Sequence, residues 1–203
     1  LLITEIYVPN SVESIGNSTF SNCNSLIKIT IPFIGNNIES TSSLGSIGVS
    51  NVSLKEVVVT NDNTIPASAF DGWTNLEKIT IPSTVESIGN SAFRDCSGLK
   101  RLNSETDGEF NIPEAVTTIG NYTFYGCSQA VNFTMGDIET IGSYAFYGCS
   151  LVEYFNSETQ YKIEVPNTAT SIGSHAFNGM VLITEVYVPD SVESIGDGAF
   201  KGC

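Results

Sequence analysis

Basic residues are scarce in this sequence. Eight lysines and arginines stand against 22 aspartates and glutamates in 203 residues, which gives a formal net charge of −14. A chain this acidic has no general electrostatic attraction for nucleic acid or for anionic membrane surfaces. It also lacks any run of about 18 apolar residues, the length that a membrane-spanning helix needs. These absences argue against nucleic-acid partners and against direct membrane insertion.

Residue patterns that carry catalysis are equally scarce. His175 is the only histidine, and no partner lies at a spacing typical of a Ser-His-Asp or Cys-His arrangement, so it is interpreted as an exposed surface residue. No G-x-G-x-x-G or P-loop spacing occurs, so the recurrent Ile-Gly pairs are interpreted as turn formers rather than phosphate-binding loops. We therefore predict no catalytic residue, no cofactor, no metal site and no enzymatic activity.

One nine-residue phrase dominates what is present: Ile-Gly-x-x-(Ala/Thr)-Phe-x-x-(Cys or another apolar residue). It occurs at residues 15–23, 88–96, 119–127, 141–149, 172–180 and 195–203, with a variant at 65–73. Self-similarity at a period of 20–50 residues predicts a solenoid, in which each repeat stacks on its neighbours. We expect a single solenoid over residues 1–203. Since residues that recur build the repeat, function is expected in what differs between repeats.

Residues 76–96 show how one repeat is organised. Residues 76–81, with alternating and β-branched side chains, predict a short strand that ends at Pro82. Gly89 permits a turn, and Asn90 suits the N-cap of one short helical turn. Asp95 stands where that turn ends, in a column of Asn, Asp and Gly that tolerates the left-handed backbone conformation.

Aligning the repeats predicts eight short strands. Because each is followed by a crossing arm of the same type, neighbouring strands must be parallel. The expected fold is a leucine-rich-repeat solenoid, with a curved parallel sheet on the concave side and short helical turns on the convex side. The predicted strands are 3–8, 26–31, 54–59, 76–81, 99–102, 130–135, 152–155 and 183–188.

The pattern x-x-Leu-x-x-Ile-x-Ile-Pro…Val-x-x-Ile-Gly-x-x-Ala-Phe-x-x-Cys resembles the BspA-type leucine-rich repeat over nearly the whole chain. This family occurs mostly in surface proteins of bacteria and some protists. The resemblance implies extracellular display and binding of partner macromolecules, with no catalytic residues to transfer. The chain departs from the pattern in an irregular arm at 33–53 and in two insertions that share the phrase Asn-Ser-Glu-Thr. Asp107-Gly108 is a hairpin signal, so we expect projecting β-hairpins near 103–109 and 156–162.

All five cysteines occupy the last position of the phrase, which holds Trp73 and Met180 in other repeats. A position that accepts Cys, Trp or Met is apolar, so we favour buried free thiols. A disulfide ladder and a zinc site are the alternatives; the odd count argues against the former and the spacing against the latter. The phenylalanines of the phrase, 20, 70, 93, 124, 146, 177 and 200, should stack in the core.

The strand positions that face the concave solvent side hold five of the eight basic residues. A patch of these residues on an acidic chain is a candidate partner-binding surface. The alternative is a ladder of ion pairs, since charge signs alternate between neighbouring strands and opposite charges across strands stabilise a sheet. The two interpretations are compatible. The residues are Lys28, Lys55, Lys78, Lys100 and Arg101.

A second possible interaction patch is Tyr122, Tyr125, Tyr144 and Tyr147 on two adjacent convex turns, although rings lying flat over neighbouring turns are the favoured interpretation.

From these features we expect a non-enzymatic, extracellular or cell-surface binding module that recognises a protein or glycan. The alternative is a structural spacer that holds other domains of a longer surface protein. Both ends are in repeat phase, with no polar capping element, so we expect a segment of a longer array.

Overall fold

The computed structural model describes residues 2–203, and two parallel β-sheets run along its length. The larger sheet forms the concave side, and its ten strands are numbered in chain order with those of the smaller sheet. They are β1 (Glu5–Tyr7), β2 (Lys28–Ile31), β3 (Glu56–Val59), β5 (Lys78–Thr80), β7 (Arg101–Leu102), β8 (Glu109–Asn111), β10 (Asn132–Thr134), β12 (Tyr154–Phe155), β13 (Lys162–Glu164) and β15 (Glu185–Tyr187). Every neighbouring pair in this sheet is parallel.

The smaller sheet consists of two-residue strands within the segments predicted as crossing arms. They are β4 (Thr64–Ile65), β6 (Ser87–Ile88), β9 (Thr118–Ile119), β11 (Thr140–Ile141), β14 (Ser171–Ile172) and β16 (Ser194–Ile195). Each contains the isoleucine of the Ile-Gly phrase or its equivalent. The fold class predicted from the sequence, a β-dominated leucine-rich-repeat solenoid, is confirmed.

Each of the eight predicted strands overlaps an observed concave strand, but the sheet has two more, β8 and β13. These strands correct the hairpin prediction for 103–109 and 156–162. β7 pairs with β8 in parallel, Leu102 opposite Phe110, and β12 pairs with β13 in parallel, Phe155 opposite Ile163. A hairpin would have made both pairs antiparallel.

Two short loops make these parallel pairs possible. Residues 103–108 and 156–161 each carry the chain around so that it re-enters the sheet in the same direction. Asn103 (φ 51°) and Gly108 (φ 86°) adopt the left-handed conformation in the first loop, as do Asn156 and Tyr161 in the second. The Asp-Gly signal therefore marks a tight loop rather than a hairpin turn.

The convex turns hold the repeats together with a further set of backbone hydrogen bonds. The N–H groups of Ser91, Phe93 and Asp95 donate to carbonyls of the next repeat, at 2.8, 2.9 and 2.7 Å. The N–H groups between them bond within the turn, for example Ala92 to the Gly89 carbonyl at 3.2 Å. The left-handed conformation predicted where the turn ends is confirmed, with φ of 56° at Asp95.

The N-cap prediction for the asparagines that begin these turns is wrong. The Oδ1 atom of Asn90 accepts a hydrogen bond from the backbone N–H of Asn121 at 2.8 Å, in the following repeat. Ser91, immediately after Asn90, has φ 57°, so no helix begins there. These asparagines therefore join consecutive repeats instead of capping a helix.

The glycines of the Ile-Gly phrase have a different role from the turn-forming one inferred from the sequence. A Cβ atom at Gly142 would lie 2.5 Å from the carbonyl carbon of Gly120, and one at Gly89 would lie 2.5 Å from the backbone nitrogen of Ala67. Neither residue is among those with positive φ. The position needs glycine because the backbones of consecutive repeats approach closely there.

A file of stacked phenylalanines fills the core, which confirms the prediction for six of the seven residues, 70, 93, 124, 146, 177 and 200. Neighbouring rings from Phe70 to Phe200 have centroids 5.3–5.6 Å apart and lie within 10° of parallel. Phe200, at one end of the file, is only partly buried, and so is Phe20, which lies outside the file. A second row from the concave sheet, Phe110, Phe133 and Phe155, meets the file edge-on.

The irregular arm at 33–53 is packed into the core as well. It contains a short 3₁₀ helix, Leu44–Ile47, whose Leu44 and Ile47 are fully buried. Asp62 fixes the start of the arm, since its Oδ2 accepts the backbone N–H of Ile34 at 2.9 Å. Burial raises the pKa of the Asp62 carboxyl above its ordinary value, because desolvation outweighs the hydrogen bonds from backbone N–H groups.

Candidate binding surface on the concave sheet

The five basic residues singled out from the sequence lie in or directly before strands of the concave sheet. Lys28, Lys78 and Arg101 are on strands β2, β5 and β7, and their register places them in one row with two glutamates. The order across the sheet is Glu5, Lys28, Glu56, Lys78, Arg101. Lys55 and Lys100 stand one residue before β3 and before β7.

All five cations have a carboxylate partner. Lys28 lies 3.0 Å from Glu56, and Glu77 is shared between Lys55 at 2.9 Å and Lys100 at 3.1 Å. Lys78 pairs with Glu105, and Arg101 Nε lies 3.0 Å from Asp107 Oδ1. Hydrogen bonds from Lys55 and Lys100 lower the pKa of Glu77. The ion-pair ladder offered by the sequence as an alternative is therefore present, and it offsets most of the positive field.

Two of these partners come from the first tight loop, which leans over the sheet. Glu105 and Asp107 are exposed, yet they reach Lys78 and Arg101. The loop itself is held by reciprocal hydrogen bonds between Asn103 and Asn111, in which each side-chain amide donates to the other's backbone carbonyl, at 3.1 and 3.2 Å. Asn103 Oδ1 also accepts the N–H of Ile81 at 2.8 Å. The loop is thus a fixed part of the surface.

Each tight loop borders a groove. The larger, of about 1050 Å³, lies beside the first loop and extends from Thr80 to Asp137. The smaller, of about 730 Å³, lies beside the second loop on the concave face. Thr134 lines both. The second groove is lined by Asn132, Thr134, Tyr154, Asn156, Ser157, Glu158, Thr159 and Glu164.

Asn132 and Tyr154 were not singled out from the sequence. They face each other across strands β10 and β12, between Glu109 of β8 and Lys162 of β13. A signal for them existed, because they are the two uncharged members of a column that is otherwise charged: Glu5, Lys28, Glu56, Lys78, Arg101 and Glu185.

The convex tyrosines stack flat across neighbouring turns, which confirms the favoured interpretation. Tyr122 and Tyr144 have ring centroids 4.9 Å apart at 3°, and Tyr125 and Tyr147 have the same separation at 5°. His175 continues the first stack, 4.8 Å from Tyr144, and its Nδ1 lies 2.9 Å from the side-chain nitrogen of Asn178. His175 is therefore half-buried in a stack and is not the exposed residue expected.

The five cysteines are free, as favoured from the sequence. Cys96, Cys127 and Cys149 are buried, whereas Cys23 is half-buried and Cys203 is exposed. Four of the thiols, those of Cys96, Cys127, Cys149 and Cys203, donate to the carbonyl of a phenylalanine in the preceding repeat, for example Cys96 to Phe70 at 3.0 Å. Burial raises the pKa of Cys96 to about 12, which makes its thiolate inaccessible at neutral pH.

Among residues 2–203, no cluster of three or more His, Cys, Asp or Glu side chains is placed to hold a metal ion. No helix in the same range is long and apolar enough to cross a membrane.

Stacked parallel strands, a continuous phenylalanine file and backbone ladders between consecutive turns define a leucine-rich-repeat solenoid. The model of the BspA type leucine rich repeat region matches residues 2–107, 103–162 and 152–203, in six copies. The chain belongs to this family. No curated protein sequence matches it.

Solved structures of bacterial leucine-rich repeat proteins share the fold. One from T. pallidum has 21% identity and a TM-score of 0.60, over 98% of this chain and 76% of that one. One from Bacteroides ovatus has 22% identity and a TM-score of 0.61, over 98% of this chain and 58% of that one. One from Eubacterium ventriosum has 22% identity and a TM-score of 0.55 with the same coverage. At these identities the likeness concerns the fold alone.

Proposed function

We propose that the chain is a non-enzymatic binding module, displayed extracellularly or on a cell surface, whose concave sheet recognises a protein or glycan partner. The observation that supports this most is the ten-stranded concave sheet with polar side chains along its exposed face and two grooves beside rigid loops. Solenoids offer their widest continuous surface on the concave side. Membership of a family found mostly in surface proteins supports the location.

In this proposal the partner contacts the row of Lys28, Lys55, Lys78, Lys100 and Arg101. Their ion pairs are partly exposed, with side-chain exposure of 36% for Lys28 and 43% for Lys55. Carboxylates of an acidic patch on the partner would replace the chain's own carboxylates beside these cations. The exchange would add specificity and salt sensitivity to binding more than affinity. The loops at 103–108 and 156–161 would flank the contact.

The test is charge reversal of Lys78, Lys100 and Arg101 to glutamate in one variant. The variant and the parent chain are compared for binding to immobilised matrix glycoproteins and to a glycan array, with circular dichroism to check folding. A matched control reverses Arg94 and Lys201, which lie on convex turns. Loss of binding in the triple variant alone supports the basic row; unchanged affinity and salt dependence in the folded triple variant would move the contact elsewhere.

A structural spacer is the second candidate. The pairing of all five cations favours it, because a fully paired ladder stabilises the sheet while presenting little net field. A spacer would bind no component of the same arrays, whereas the binding module captures at least one. That single comparison separates the two.

A further inference from the structure

We propose that the groove around Asn132 and Tyr154 is a binding site for a neutral, hydroxyl-rich oligosaccharide. The inference deepens the proposed function and rests on it, because it names the chemistry of a ligand for the concave face. It places that ligand beside the second tight loop, on the C-terminal side of the basic row.

The first argument is that charge pairing stops at this point of the sheet. The row alternates in charge from Glu5 to Lys78, and its cations Lys28, Lys78 and Arg101 each have a carboxylate partner. On the far side, Lys162 is held by Glu164 at 2.8 Å and Glu185 at 3.2 Å. Asn132 and Tyr154 stand between the two charged stretches. Two neutral side chains that can form hydrogen bonds therefore interrupt a surface on which charged side chains otherwise pair with one another.

The second argument is an acceptor without a partner. Asn132 Oδ1 is shielded from solvent and receives no hydrogen bond from any residue in the range 2–203. Such a group lowers stability, since it has lost water without gaining a protein donor. Asn111, one strand before it, contrasts with this: its Oδ1 accepts the hydroxyl of Thr134 at 2.7 Å. Rotation of the Asn132 side-chain amide would turn this acceptor toward the groove that the residue lines, where a ligand hydroxyl would supply the missing donor.

The third argument is the chemistry of the lining. An aromatic ring, two amides, hydroxyls and two carboxylates line a volume of about 730 Å³, within the range of about 300–1,000 Å³ typical of small-molecule sites. Sugars present apolar C–H faces that pack on aromatic rings and hydroxyls that both donate and accept. Because Glu158 and Glu164 bring negative charge and Lys162 is already paired, the groove disfavours anionic sugars.

The fourth argument is that the groove walls are preorganised. The backbone N–H of Asn156 donates to the Phe133 carbonyl at 2.7 Å, and Asn156 Oδ1 accepts the N–H of Met135 at 3.4 Å. Within the loop, the N–H of Thr159 donates to Ser157 Oγ at 3.1 Å. A loop that is already ordered loses little conformational entropy when a ligand binds.

An extended peptide suits this position less well. The groove lies inside the ten-stranded sheet, where β10, β12 and β13 are already paired on both sides. No free strand edge is available there for a peptide to join by backbone hydrogen bonds. The lining is also mainly polar, so it has few places to anchor apolar side chains.

The experiment uses the 203-residue chain and a panel of neutral di- and trisaccharides built from glucose, galactose, mannose and N-acetylglucosamine, with sialyllactose as the anionic comparison. Saturation-transfer NMR identifies binders, and calorimetry measures their affinity. We expect at least one neutral sugar to bind, with affinity reduced about tenfold or more in Tyr154→Ala and in Asn132→Ala, as for central contact residues. Circular dichroism checks that both variants fold.

The matched control is Tyr7→Ala, which removes an exposed tyrosine from β1 on the same sheet, far from the groove. It should leave sugar affinity unchanged within about twofold, as at positions outside a contact. Absence of binding by every neutral sugar, preference for sialyllactose, or equal affinity in the folded Tyr154→Ala and Asn132→Ala variants would each overturn the inference. If matrix glycoproteins still bound the chain in those cases, the proposed function would stand without this site.

Discussion

The side-chain oxygen of Asn121 accepts a hydrogen bond from the backbone N–H of Ser143, 2.8 Å away in the following repeat. Asn90 makes the same bond to Asn121 one repeat earlier. An amide side chain thus supplies the acceptor that a strand neighbour would supply in a sheet. The repeats are joined at this edge of the turn by side chains as well as by the backbone.

Replacing Asn121 with alanine removes that acceptor and should lower the free energy of unfolding by about 0.5–1.5 kcal/mol, the usual net value of one hydrogen bond. Urea denaturation followed by circular dichroism measures the change. Asn51→Ala is the control, because Asn51 is exposed in a turn. Equal stability of Asn121→Ala and the parent chain would show that the bond contributes nothing.

The close approach of backbones at the Ile-Gly phrase predicts different losses of stability for two glycine-to-alanine substitutions. Gly142→Ala places a methyl group against the backbone of Gly120, so we expect a loss of about 1–3 kcal/mol or more from overpacking. At Gly16 the nearest atom to an added Cβ is Thr19 Oγ1 at 3.5 Å, an ordinary contact. Gly16→Ala should therefore change stability by less than about 0.5 kcal/mol. Thermal denaturation of the two variants measures these losses of stability. Equal losses would contradict the explanation by close backbone contact.

A phenylalanine at the centre of the stacked file should contribute more to stability than Phe20, which lies outside it. Phe124→Ala should cost about 3–5 kcal/mol, because the cavity would be enclosed by the rings of Phe93, Phe133 and Phe146. Phe20 is only partly buried, so Phe20→Ala should cost clearly less. The comparison uses chemical denaturation with the same probe for both variants. A larger loss at Phe20 would contradict the assignment of the core.

Asp62 should give the protein an unusual acid response. Its folded pKa is raised above the ordinary value of 3.8 by burial, so the folded state binds the proton more tightly than the unfolded state. The contribution of this group to stability is therefore greatest below about pH 3.8 and falls as pH rises through the raised folded pKa. Glu77, whose pKa is lowered from 4.5 by two lysines, acts in the opposite sense.

Asp62→Asn isolates this effect. Because the variant cannot titrate at residue 62, the stability of the parent chain relative to the variant should rise as pH falls from 7 toward about 4. Urea denaturation of both chains across that interval gives the difference directly. A difference that is flat, or that falls with decreasing pH, would mean that the carboxyl is not destabilised by burial.

The cysteines should differ in reactivity by position. In the folded protein a thiol-reactive reagent should label the exposed Cys203 quickly and the half-buried Cys23 more slowly. The buried Cys96, Cys127 and Cys149 should react only after the protein unfolds. Burial both blocks the reagent and raises the pKa of these three thiols. Five reactive groups are expected after denaturation without reductant. Fewer would reveal a disulfide.

Much of the fold could be predicted because residues within one repeat specify the local structure of that repeat. Pro82 ends a strand, the phenylalanines mark the core, and the Asp95 column marks a left-handed turn. The extra strand β8 also had a signal: Phe110-Asn-Ile112-Pro113 precedes Ile119 by the same spacing that separates Ile79-Thr-Ile81-Pro82 from Ile88. The Asp107-Gly108 hairpin signal obscured it, since a local turn rule does not reveal which strand the chain rejoins.

What could not be predicted depends on neighbours that are distant in sequence. Asn90 fits a local rule for helix caps, but its partner, Asn121, lies 31 residues away. The Ile-Gly glycine is explained by the backbone of another repeat, which no single repeat contains. For the binding surface, the columns placed the five cations on one face, but the sequence alone did not reveal that Asp107 and Glu105 would fold back to pair with two of them.

The direction of the hydrogen bonds also determines how the molecule would respond to force. In both sheets and at the convex turns these bonds run from repeat to repeat, parallel to the long axis of the solenoid. A pull on the two ends would therefore load one inter-repeat junction at a time, rather than shearing many bonds together. Under tension the chain would lengthen stepwise by releasing terminal repeats, while the repeats still stacked kept their concave surface intact.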